Sequence, residues 1–193
     1  MFKINLLTIV NLICVHSCTD HYWRDYDGRI PHDAIKAGYN NNTNCPLYIG
    51  QAYVHHYGLL LGTITPGSME IHIPCYGVVN TKVIIKILCS PDPSNYIWLP
   101  TTAATFKDDV EGEIPILGGY DRKNWETTGS EGTLNIGRIM KDGRPIISNI
   151  GAYSNSDVWF YYPFKGKELR ASQYEVMVFR GISTKLNEFQ LGC

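Results

Sequence analysis

Gly118-Gly-Tyr-Asp-Arg-Lys-Asn-Trp125, with the run that follows it through Gly137 to Tyr153, has an echo earlier in the chain. Ala37-Gly-Tyr-Asn40 stands for Gly118-Gly-Tyr-Asp121. Leu47-Tyr-Ile-Gly-Gln-Ala52 stands for Leu134-Asn-Ile-Gly-Arg-Ile139, and Ile73-Pro-Cys-Tyr-Gly77 for Tyr162-Pro-Phe-Lys-Gly166. From Gly38 to Gly119 is 81 positions, from Gly50 to Gly137 is 87, and from Gly77 to Gly166 is 89. The offsets drift by insertion while the order holds, which is the mark of an internal duplication.

Hydrophobic alternation supports the same division. In Lys82-Val-Ile-Ile-Lys-Ile-Leu88, Val83, Ile85 and Ile87 share one face and Lys82 and Lys86 the other; Tyr174, Val176 and Val178 face inward with Glu175 outward. This period of two predicts half-buried antiparallel strands. The 89-residue offset lays Lys86 on Glu175 and Ile87 on Val176, so the faces of the two copies agree. Gly28-Arg-Ile-Pro31 and Gly112-Glu-Ile-Pro115 read as equivalent turns into extended chain. Asn40 to Asn44 and Arg122 to Gly132 read as corresponding loops, and no stretch shows a helical period. Ser90-Pro-Asp-Pro-Ser94 separates the copies. The expectation is an all-β fold, two tandem repeats packed as a pseudo-two-fold β-sheet domain, with copies at 18–90 and 95–180 and a tail at 181–193.

Residues 1–17 read as a secretory signal peptide, with Lys3 before an apolar run from Ile4 to Val15. That run is shorter than the roughly 20 residues that span a bilayer. The expected mature protein is secreted and extracellular, with no membrane span. The chain has 17 basic and 18 acidic residues, for a net charge of −1, and no long basic run, which argues against nucleic acid as a partner. Its 13 tyrosines and 18 glycines suit a β-rich, turn-rich module.

Outside the signal, Cys45, Cys75, Cys89 and Cys193 are disulfide candidates, joined by Cys18 if cleavage precedes it. Cys75 and Cys89 bracket one apolar strand segment and are expected to lie near each other. A bridge closing their loop of roughly 15 residues would stabilise the fold by about 3 kcal/mol. Asn41-Asn42-Thr43 is an N-glycosylation sequon in a polar loop, so Asn41 is the expected acceptor.

The motifs of hydrolases, metalloproteases and nucleotide-binding enzymes are missing. His55-His56 and His72 read as surface histidines, because neighbours on a strand point to opposite faces. Asp108-Asp109 with Glu111 and Glu113 reads as a solvated acidic loop. No enzyme, metal or cofactor is expected.

Gly118-Gly-Tyr-Asp121, Ile136-Gly-Arg138, Tyr162-Pro-Phe-Lys-Gly-Lys-Glu168 and Tyr174-Glu-Val-Met177, together with their first-copy echoes, resemble the DM9 repeat (DUF3421) in tandem, along almost the whole mature length. The resemblance implies an all-β pair of repeats without enzymatic activity and, as in the family's lectins, binding of mannose-type carbohydrate. There an aspartate and a lysine hold sugar hydroxyls. The aspartate falls on Asp121 and Asn40, and the lysine on Asn149 and Thr63, so neither copy keeps the pair. Exchanging Lys for Asn keeps donors and loses the charge, at a cost of roughly tenfold or more in affinity.

The sugar site is therefore expected in the second copy, around Asp121 and Asn149, with Trp125 offering a flat face to a pyranose. One weakened site per chain favours a homodimer for avidity. The alternative is a structural or partner-binding protein that keeps the scaffold, in which Asp121 is simply a turn residue.

Overall fold

The computed structural model describes residues 21–128, 132–151 and 157–181, and of Trp125, Thr127 and Thr128 the backbone alone. Segment 1–17, Cys18 and Cys193 lie outside the described residues. The first copy contains β1 (Tyr22–Asp25), β2 (Lys36–Asn40), β3 (Cys45–Val54), β4 (Gly58–Ile64), β5 (Ile71–Pro74), β6 (Val78–Thr81) and β7 (Ile85–Cys89). A 3₁₀ turn at Pro93–Asn95, capped by the Asp92 carboxylate on the Ser94 N–H, leads into the second. There follow β8 (Tyr96–Thr102), α1 (Phe106–Asp109), β9 (Ile114–Pro115), β10 (Leu117–Asp121), α2 (Arg122–Thr128), β11 (Thr133–Lys141), β12 (Arg144–Gly151), β13 (Trp159–Phe164), β14 (Lys167–Ala171) and β15 (Gln173–Phe179).

The strand registers repeat with the offsets of the sequence. Gly50 pairs with Ile87 and Gly137 with Val176. Trp23 pairs with Leu88 and Trp98 with Met177. The Ile35 N–H donates to Leu88 O, and the Ile116 N–H to Met177 O, both at 2.9 Å. A bulge between Lys36 and Gly38 has its twin between Leu117 and Gly119. The protein is thus an all-β pair of repeats related by a pseudo-two-fold axis. One equivalence expected above does not hold: Ala34, not Pro31, bridges Cys89 as Pro115 pairs with Val178. The first copy therefore spends three more residues in its turn.

Three clusters form the core. Ile64, Ile73, Ile85 and Ile87 belong to an outer cluster of the first copy, and Ile150, Tyr162, Tyr174 and Val176 are their counterparts in the second. The third cluster is shared and consists of matched pairs: Ile35 with Ile116, Ile49 with Ile136, Leu61 with Ile147, and Leu88 with Met177. Strand β15 lies between the shared cluster and its own outer one, so Val176, Met177 and Val178 are all buried. Half-burial does not hold for it, because the alternation reports one face and the first copy of the repeat covers the other. Val83 corrects the reading differently. Strand β7 starts only at Ile85, and Val83 and Ile84 are 65% and 63% exposed in the preceding turn.

The seam between the copies is made by backbone. Strand β10 pairs with β4, Tyr120 with Leu59 and Asp121 with Gly58. A Cβ on Gly119 would overlap the Leu59 carbonyl oxygen. The pair of glycines that opens the motif is what lets the strands meet. The Arg122 N–H donates to Tyr57 O at 2.7 Å, and its counterpart, the Asn41 N–H, to Gly143 O at 2.8 Å.

Candidate binding cavities

Because the copies cross at this seam, each of two cavities is walled by both. The smaller, about 260 Å³, is lined by Asp121, Asn149, Tyr161 and Glu168 of the second copy and by Pro74-Cys75-Tyr76 from the β5–β6 hairpin of the first. The larger, about 850 Å³, is its pseudo-symmetric partner: Asn40, Thr63 and His72 of the first copy face the Phe164-Lys165-Gly166 hairpin of the second. Two-residue turns with both residues at positive φ, Asp142-Gly143 and Lys165-Gly166, close the second-copy hairpins at its rim.

The structure brings Asp121 and Asn149 to one cavity, and Asn40 and Thr63 to the other, as their shared motif positions imply. It also shows that each has work in the scaffold. Asp121 is 3% exposed, and its Oδ1 accepts the Asn124 N–H at 3.0 Å, the bond by which a cap residue satisfies an orphan donor at a helix start. Arg122–Thr128, expected as a loop, is accordingly a short helix. Asn149 Oδ1 accepts the Leu61 N–H at 2.9 Å, and Thr63 Oγ1 accepts the Ile147 N–H at 2.8 Å. These two bonds are images of each other across the axis, each tying β4 to β12. Asn41 is exposed in the β2–β3 turn.

The Gly-Arg motif is structural as well. Arg138 makes a two-pronged bond to Glu175 (Nε to Oε2 2.6 Å, Nη2 to Oε1 2.9 Å), donates from Nη1 to Ala37 O at 2.6 Å, and lies 4.4 Å over the Trp98 ring. Gln51, its first-copy counterpart, donates to Gly118 O at 2.6 Å. Each copy thus clasps the other at the residue before its motif glycine. Of the acidic loop, Asp109 accepts from Thr101 and Thr105, and Glu113 pairs with Arg180. His55 and His56 occupy the β3–β4 turn, and His72 lies on β5.

Residues that the sequence reading missed complete the smaller cavity. Tyr76, 52% exposed at a hairpin tip, stands 5.5 Å from the Tyr57 ring, and its hydroxyl donates to Asp121 Oδ2 at 3.4 Å. Lys123 Nζ sits 4.3 Å over the Tyr76 ring and 5.1 Å over that of Tyr57. Glu168 Oε2 accepts the Gly77 N–H at 3.1 Å. The one signal for Tyr76 is an aromatic residue just before a turn glycine. The side chain of Trp125 lies outside the described residues.

Burial, joined by Asp121 and Glu168, pushes the Cys75 thiol up to about 12, so it stays protonated. Cys45, Cys75 and Cys89 are free thiols, which corrects the expected Cys75–Cys89 bridge. Strand β5 pairs with β6, whereas β7, which ends at Cys89, lies between β1 and β3, so the two are not cross-strand neighbours.

Burial also holds the Glu168 carboxyl above its ordinary 4.5, against the pull of the Gly77 and Tyr76 N–H groups, and Asp121 adds to the rise. A carboxyl that binds its proton more tightly when folded favours folding below its unfolded pKa, and the advantage is lost as pH rises through the folded value. Glu168→Gln keeps an acceptor for Gly77, so it is expected to melt above wild type at pH 7 and together with it at pH 3.5. A variant that melts no higher at pH 7 would refute this account of Glu168.

Residues 4–79, which run from before β1 into β6, match the family model for the DM9 repeat. No curated protein matches the chain. Among solved structures, that of the nematode sperm cell motility protein MFP2B aligns with 11% identity and a TM-score of 0.36, over 84% of this chain and 74% of that one. The family match thus falls on the first copy, and the same strand elements recur in the second.

Proposed function

We propose that the protein is a secreted, non-enzymatic carbohydrate-recognition protein of mannose-type specificity, whose site is the Asp121 cavity. The observation that supports this is the meeting of two kinds of group on one cavity of roughly monosaccharide size. The Asp121 and Glu168 carboxylates and the Asn149 amide can bond vicinal hydroxyls. At its mouth, Tyr76 and Tyr57 offer aromatic faces for the C–H side of a pyranose. Lys123 brings an ammonium to the same mouth from a different place in the chain than the family's lysine. With one such cavity among the described residues, a homodimer would supply the avidity that a single small site lacks. Residues 1–17 support export.

A glycan array probed with the mature protein and with Asp121→Asn tests this, since Asn keeps an oxygen for the α2 cap and loses the charge. Mannose-type binding should fall about tenfold or more in the variant. Unchanged binding would place the site elsewhere.

The bonds of Asp121 to α2 and of Asn149 to Leu61 favour a second reading, a partner-binding scaffold that has kept these residues for structure. Wild-type protein silent on every glycan would decide for it.

A further inference from the structure

We infer that the larger cavity is a separate site for an acidic saccharide, one carrying a sulfate or a carboxylate. The two cavities are images of each other, so their chemistry can be compared position by position. Asp121 of the smaller corresponds to Asn40 of the larger, Tyr76 to Lys165, and Gly58, beside the first, to Arg144 in the second. The hairpin position of Glu168, opposite Pro163, is taken in the first copy by Val78, opposite Pro74. Both carboxylates are gone and two cations have been gained.

Lys141 adds a third. Its Nζ and that of Lys165 lie 5.3 and 5.2 Å from the centre of the Phe164 ring, so both ammonium groups stand against one ring on the cavity wall. Arg144 Nη2 is held at 3.0 Å by Thr65 Oγ1. None of the three forms an ion pair with a carboxylate among the described residues, whereas Lys86, Arg138 and Arg180 all do. Asp142 is the one acid among the described residues lining the cavity.

Cations that outnumber acids around a concavity and are not ion-paired raise the local concentration of anions and the rate at which they arrive. A simple anion would not need the rest of the wall. Asn40, Asn80 and His72 present polar groups for sugar hydroxyls, and the His72 ring is oriented by Asn80 Oδ1 at 2.6 Å. A volume of about 850 Å³ falls in the range of sites that enclose a ligand larger than one sugar ring. Hydrogen-bonding side chains, an aromatic ring and three cations together fit a sugar with a fixed negative charge.

The inference does not rest on the Asp121 cavity, and its test uses other residues and other probes. Isothermal titration of the full chain would compare a sulfated heparin-type disaccharide, a hyaluronan-type disaccharide whose charge is carboxylate alone, and inorganic sulfate. One or both disaccharides should bind, more weakly as salt is raised. Arg144→Gln/Lys165→Gln should lose about a hundredfold in affinity, roughly tenfold for each charge-assisted contact removed. Lys107→Gln, an exposed lysine on α1, should bind like wild type. Both substituted side chains are exposed, so the double variant should melt like wild type, which a thermal scan verifies. The sulfated and carboxylate arms identify the charged group. Failure of both disaccharides to bind, full affinity in the double variant, or inorganic sulfate binding as tightly as the sugars would each overturn the inference.

Discussion

Arg138→Ala is expected to destabilise the protein by about 3 kcal/mol or more, the penalty for leaving the partner of a largely buried ion pair alone. For a chain of this size that corresponds to a fall in Tm of about 6–12 °C. Arg138 joins three things at once: the Glu175 carboxylate on β15, the Ala37 carbonyl in the other copy, and the Trp98 ring on β8. Its side chain is 17% exposed and that of Glu175 27%, so water can replace little of what is lost. Arg122 and Glu126 provide the comparison. They form an ion pair of similar length, 2.7 Å, with side chains 59% and 46% exposed. Arg122→Ala should therefore cost less than about 1 kcal/mol.

The first copy shows how the clasp can be rebuilt. Gln51 makes the equivalent cross-copy bond, and its neighbour in register is Lys86 instead of a glutamate. Arg138→Gln alone leaves Glu175 without its partner. Arg138→Gln/Glu175→Lys reproduces the first-copy pair and should recover most of the stability. Thermal melts of the four variants check the set. Equal losses for Arg138→Ala and Arg122→Ala, or a double variant no better than Arg138→Gln, would remove the clasp from the account.

Gly119→Ala should cost a similar amount, about 3 kcal/mol, at the upper end of what overpacking does. The added methyl meets the backbone of Leu59, which cannot rotate away as a side chain would. Relief requires β10 to move off β4, and with it the seam that positions Asp121 opposite the first-copy hairpin. Gly67 is the control: it has φ +80 but nothing within 4 Å of an added Cβ. Gly67→Ala should show only the cost of a left-handed backbone, about 1 kcal/mol. The two are separated by Tm and by the urea midpoint. A Gly119→Ala protein as stable as Gly67→Ala would mean that the seam opens easily.

The duplication was legible in the chain because it is written three times, in order, with drifting offsets; the β class followed from alternation at Tyr174, Val176 and Val178. Both are local properties, set by which side chains a pleated strand sends to each face. The positions of Asp121, Asn149, Asn40 and Thr63 could be picked out as related pairs for the same reason. Their surroundings could not. Tyr76 is 45 residues from Asp121, and Lys165 is 125 from Asn40; no periodicity links them. Met177 reads as the outward residue of a half-buried strand until the first copy covers it. The Gly-Arg and Gly-Gln motifs mark the repeat in sequence, but only the structure shows each holding the other copy's carbonyl. Strand pattern is decided one chain segment at a time, but these facts depend on how the two copies dock, and docking is decided by backbone approach at Gly119 and by the shared cluster of Ile35, Ile116, Leu61 and Ile147. The same docking makes the larger cavity basic, since it takes Lys141, Arg144 and Lys165 from the opposite repeat.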